Sequence, residues 1–151
     1  MKFSKKMKAV IEQLTERFAV DIYKSGAHLK VELGGYMPLC IENIGWNRIS
    51  VAHYFEQNGD LVADPDIVFF VESGEWAPIQ ITQVFGFQNV VRFDENNELK
   101  IVSYKPRSQA GVNALANQWA QNIKDQGWLK DGTVVVNFVE VEGSEVKVDE
   151  S

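Results

Sequence analysis

With 151 residues, 45% of them hydrophobic and 24% charged, the chain can bury a core without metal or disulfide staples. That composition excludes a disordered, fibrous or membrane-spanning protein, and no apolar run approaches the roughly 20 residues that cross a bilayer. A net charge of −6 and a pI of 4.9 argue against a surface that tracks phosphates, because such surfaces use Lys and Arg to displace counterions.

The first eight residues carry positive charge but are followed by no continuous apolar stretch, so no secretory leader is expected and the chain reads as cytoplasmic. Met7, Val10, Ile11, Leu14 and Phe18 recur at helical spacing opposite Lys5, Glu12 and Arg17, which predicts an amphipathic first helix with Ser4 as its N-cap. After Lys24-Ser25-Gly26 the period changes to two: Leu29, Val31 and Leu33 alternate with Lys30 and Glu32. The same alternation returns at Met37, Leu39 and Ile41, and again at Ile49, Val51 and His53 beyond a break at Gly45-Trp46-Asn47. Cys40, the single cysteine, can form no internal disulfide and reads as a small buried hydrophobe between Leu39 and Ile41.

Asn58-Gly59 is a hairpin signal, since both residues tolerate the positive φ that a tight turn needs. Asp64-Pro65 predicts a further bend, and Ile67–Val71, apolar at every position, predicts a central strand covered on both faces. Ile79 and Ile81 continue the alternation, and Val90–Phe93 is expected to pair with Leu99–Val102 across Asp94–Asn97. Helical spacing resumes at Val112, Leu115, Ala116, Trp119 and Ile123, with Ser108 as candidate cap and Gly127 as stop. Thr133–Val139 has strand character with its place in the sheet left open, and 140–151 reads as an acidic, mobile tail. The expectation is an α+β domain over 1–139. Its antiparallel meandering sheet of about six to seven strands is flanked by an N-terminal helix and a helix in the C-terminal half, with closure into a partial barrel as the alternative.

His53, Asp60, Asp64 and Asp66 gather an imidazole and three carboxylates around two turns, a set that could hold Mg²⁺ or Ca²⁺ and serve a metal-dependent enzyme acting on phosphodiesters. Against this, Asp and Asn populate turns because their side chains mimic backbone acceptors, and Glu72 has Gly74 where a nuclease would place lysine. One Cys and two distant His offer no closed zinc set, and no nucleophile elbow, Walker loop or dinucleotide turn occurs, so no cofactor is expected. Trp46 and Trp76 each stand beside a turn or proline, where an exposed indole could anchor a partner, and Tyr54 joins them in the expected partner-binding set.

His53-Tyr54 with Gln57-Asn58-Gly59-Asp60 and Asp64-Pro65, followed by Trp119, Asn122 and Gln126-Gly127, resembles a family of small bacterial domains of unknown function. The resemblance spans roughly Leu33 to Gly127 and leaves the N-terminal helix and the acidic tail outside. It implies a setting in bacteria, plasmids, integrative elements and phages, and it supplies no catalytic residues. The resulting expectation is a non-enzymatic protein-binding accessory factor of a phage or mobile element, with inhibition of host defence as one such role. Its partner would be a host or element-encoded protein for which the acidity permits a basic surface, with neither nucleic acid nor membrane bound directly.

Overall fold

The computed structural model describes the backbone of residues 1–141 and 145–149 and the side chains of residues 1–135. The first apolar stripe becomes helix α1, Lys5–Arg17, with Met7, Val10, Ile11 and Leu14 buried. Ser4 caps it. Its hydroxyl oxygen accepts the Met7 N–H at 3.1 Å and donates its own proton to Asn117 Oδ1 at 2.6 Å, tying the helix start to the second long helix.

The alternating segments form β1 (His28–Glu32), β2 (Leu39–Gly45), β3 (Arg48–Gln57), β4 (Asp60–Glu72), β5 (Glu75–Gln83) and β6 (Gly86–Asn89). They pair antiparallel in sequence order, while β9 (Thr133–Val141) adds to the free side of β1 and carries β10 (Glu145–Asp149). The sheet therefore has eight strands, in the order β10-β9-β1-β2-β3-β4-β5-β6, and stays open between edges β10 and β6 instead of closing into a barrel. The additional strands come from the C-terminal run. Residues 142–144, 150 and 151 lie outside the described residues, and the tail expected over 140–151 falls partly there.

Register sorts the side chains between the two faces. Leu29, Ile41, Val51, Ile67 and Ile81 stand opposite one another across five strands and share one face with His53 and Phe69. This face packs against α1, α2 (Pro106–Gln126) and the short α3 (Trp128–Asp131). The other face is covered at one end by a separate hairpin, β7 (Val91–Asp94) with β8 (Asn97–Tyr104). There Phe93 meets Phe70 edge-on at 5.3 Å between centroids, and the Arg48 guanidinium lies 4.1 Å over the Phe93 ring while pairing with Glu98 at 3.3 Å. Ile67, Val68, Phe69 and Phe70 are all buried, as a strand covered on both faces requires.

Two local expectations need correction. The chain does not bend away at Asp64-Pro65: β4 runs straight through it, with a cis peptide, because two residues there oppose the single His53 of β3. That bulge removes the need for the N–H that proline lacks. Ser108 does not cap α2. Helix formation starts two residues earlier, at Pro106, whose missing N–H is no loss in a first turn; Gly127 ends the helix in left-handed conformation, φ 93°, as expected. Asn58 and Gly59 likewise take positive φ, 53° and 83°, and close the β3–β4 hairpin.

Replacing Ser4 by Ala removes the α1 cap and leaves Asn117 without its donor. Urea unfolding should show a loss of about 1–2 kcal/mol. An unchanged midpoint would mean that this cap does not fix the helix start.

Candidate functional site

Opposite Leu39, the first residue of β2, His53 of β3 points toward the helices and is held between two indoles. Its ring centroid lies 5.4 Å from that of Trp119 in α2 and 5.6 Å from that of Trp128 in α3. Its Nδ1 lies 3.2 Å from the Pro38 carbonyl. A carbonyl only accepts, so Nδ1 carries the proton and Nε2 keeps a lone pair. Burial lowers the pKa of this imidazole below its ordinary 6.5, against the opposing pull of the Pro38 and Met37 backbone bonds, and so favours the neutral ring.

His53 and Trp119 form part of the lining of a cleft of about 350 Å³. Tyr36, Met37, Pro65 and Leu115 supply an apolar rim, and Gln83, Gln118, Asn122 and Gln126 supply amides. Three of these amides are already oriented: Gln118 Nε2 donates to Asn122 Oδ1 at 3.0 Å, and Gln126 Oε1 accepts the Trp128 indole N–H at 3.0 Å. Size and lining suit an apolar group with one or two hydrogen-bonding functions. Among the described residues, no Ser, Cys, Lys, Asp or Glu lines the cleft. Two further hollows, of about 420 and 650 Å³, flank the N-terminal segment and have mixed charged walls that include Glu75 with Lys100 in one and with Lys8 in the other.

The carboxylates of the proposed metal set are not gathered around His53. Asp66 lies on the opposite sheet face, where it accepts the Ser50 hydroxyl at 2.6 Å, and burial raises its pKa. Asp60 is exposed beside the hairpin turn, paired with Gln57, and Asp64 sits in the bulge. Among the described residues no three His, Cys, Asp or Glu side chains are grouped so as to hold a metal ion. The reason is the parity of the strands, which sends residues 53 and 66 to different faces.

The three aromatics expected to bind a partner are also separated. Trp46 is exposed, with 63% of its surface accessible, in the β2–β3 turn at the far end of β3 from the cleft. Trp76 is buried: its ring lies against Phe69 and its indole N–H donates to the Tyr23 hydroxyl at 3.1 Å, so the exposed indole expected there is a core residue. Burial, with a bond from that hydroxyl to Glu12, pushes the Tyr23 phenol up to about 12. Tyr54 is half-buried on the same face as Asp66, and burial raises its pKa. Cys40 shares that face and is half-buried, and burial raises its pKa, which keeps it a thiol.

Sequence reasoning missed the rim. Leu115 belongs to the α2 stripe by spacing yet is 38% exposed, because it lies on the flank of a stripe whose buried centre is Val112, Ala116, Trp119 and Ile123. Tyr36 and Met37, 46% and 39% exposed, follow Gly34-Gly35, and two aromatic or flexible apolar residues in a glycine loop were the available signal. By contrast, five residues that carried the resemblance, His53, Pro65, Trp119, Asn122 and Gln126, line this one cleft.

The family described as "Domain of unknown function (DUF6908)" matches residues 5–129. The match takes in α1, which the resemblance had left outside. No curated protein and no solved structure matches the chain. No helix among the described residues is long and apolar enough to cross a membrane.

The lowered pKa of His53 makes a stability prediction. As pH falls, the unfolded chain takes up this proton first, so the contribution of His53 is fully present above about pH 6.5 and is lost as pH falls through its lower folded value. His28, also lowered by burial, acts in the same direction, whereas Asp66, raised, acts oppositely at lower pH. Stability of the wild type should therefore fall more steeply below pH 6.5 than that of His53→Gln in parallel urea titrations. Equal slopes would contradict a buried neutral imidazole.

Proposed function

For this chain, which belongs to that family of domains of unknown function, we propose a non-enzymatic protein-binding role in which the cleft over His53 and Trp119 takes an apolar side chain of a partner. The observation that carries this reading is the company the cleft keeps. Exposed Tyr36, Met37 and Leu115 rim it, and Val84 and Phe85, 56% and 85% exposed, stand in the turn that follows Gln83 of its lining. Such a concentration of accessible apolar surface at one end of a sheet is costly in water and characteristic of interaction sites.

The adjoining β3–β4 hairpin bears Glu56, Asp60 and Asp64, and the chain as a whole carries −6, so the partner segment has basic residues flanking its apolar anchor. The partner is a protein of the host, or of the mobile genetic element that carries the chain, and the encounter takes place in the cytoplasm. The resemblance to domains of bacteria, plasmids and phages supports that setting, and inhibition of a host defence protein is a role consistent with it.

A photo-crosslinking residue at Leu115 would capture the partner in a bacterial host, and calorimetry with the purified partner then ranks the surfaces. Leu115→Glu and Met37→Glu should each weaken binding at least about tenfold, about 1.4 kcal/mol, while Trp46→Ala leaves it unchanged. Wild-type affinity in both cleft variants, or a loss confined to Trp46→Ala, would sink the proposal.

A further inference from the structure

Strand β6 ends the main sheet, and its outer side has no neighbouring strand among the described residues. All four of its residues are exposed, Phe87 at 61%, and the preceding turn holds Phe85 at 85% and Val84 at 56%. The ladder fixes which backbone groups look outward. Val90 donates to the Ile79 carbonyl at 2.9 Å, and the regular register from Gln80↔Asn89 to Gln83↔Gly86 continues from it. Val90 therefore directs its amide, and Gln88 and Gly86 direct their amides and carbonyls, to β5, while the Val90 carbonyl accepts the Lys105 N–H at 2.9 Å; Asn89 and Phe87 direct their amides and carbonyls away from β5.

Natural sheet edges carry lysine, proline or inward-pointing charge to prevent strand addition. This edge carries none. From Trp76 to Val91 no residue is charged, an uncharged run covering most of β5 and all of β6 in a chain with 24% charged residues. Two copies of such a strand can approach antiparallel about a two-fold axis without placing like charges together, although each chain carries −6. A basic partner finds no opposite charge along this edge, so its complement is an identical neutral strand. We infer that β6 pairs antiparallel with β6 of a second copy of this chain, joining two eight-stranded sheets into one and covering Phe87.

The contact is made by the outward backbone of Phe87 and Asn89, whereas Met37 and Leu115 of the cleft lie on other elements, so variants at these positions separate the two surfaces. Sedimentation of the full chain over a concentration series should show reversible conversion from the chain mass to twice that mass. Phe87→Pro removes an outward N–H while leaving the inward ladder bonds intact, and Phe87→Lys places like charges opposite each other; both should remain monomeric throughout, and Leu115→Glu should still dimerise. Hydrogen exchange on the wild type supplies a readout that does not depend on any variant folding. The Phe87 and Asn89 amides should be protected at high concentration and exchange freely on dilution. A wild type that stays monomeric, dimers that persist in Phe87→Pro, or protection at these amides that does not change with concentration would each overturn the inference.

Discussion

The imidazole of His53, wedged between Trp119 and Trp128, is the contact on which the relation of helices to sheet depends. It ties β3, opposite the start of β2, to both C-terminal helices, and burial there favours the neutral ring, whose Nδ1 proton is given to Pro38. Two tryptophans and a histidine in contact bury a large area, and the same packing leaves one edge of Trp119 on the cleft floor. The bulge at Asp64-Pro65 is part of this arrangement: by setting two residues opposite His53 it places Pro65 in the rim.

The two faces of the sheet are held by different chemistry. The helix face is an apolar core interrupted by a few polar groups, among them Gln109, whose side chain exchanges two hydrogen bonds with the Lys2 backbone. The opposite face is held by the stacking of Arg48 on Phe93 and Phe70, and away from that hairpin it turns polar, with Ser50, Asp66, Tyr54 and Cys40. This asymmetry puts the carboxylate of Asp66 out of reach of His53, and with it any acid–base or metal chemistry that would have joined them.

Much of the fold could be read from periodicity. The stripe Met7–Leu14 gave α1, the alternation from Leu29 to Ile81 gave the meander, and the unbroken apolar run Ile67–Phe70 marked its centre. What could not be read was set by contacts distant in sequence. Thr133–Val141 has nothing local to say that it pairs with β1, about a hundred residues earlier, and Pro65 looks like a bend until the unpaired position opposite it is seen. The site was legible in part. His53 and Trp119 stood out, but Leu115 has the spacing of a core residue, and Trp76, beside a proline, looked exposed although its indole has a buried partner in Tyr23.

Soaking crystals of the chain with indole tests most directly whether the cleft is built to receive an aromatic or apolar side chain. Ordered density for the ring between Met37, Leu115 and Trp119, with no matching site at Trp46, is the expected result. A cleft filled by its own side chains, with indole bound only elsewhere, would contradict the account.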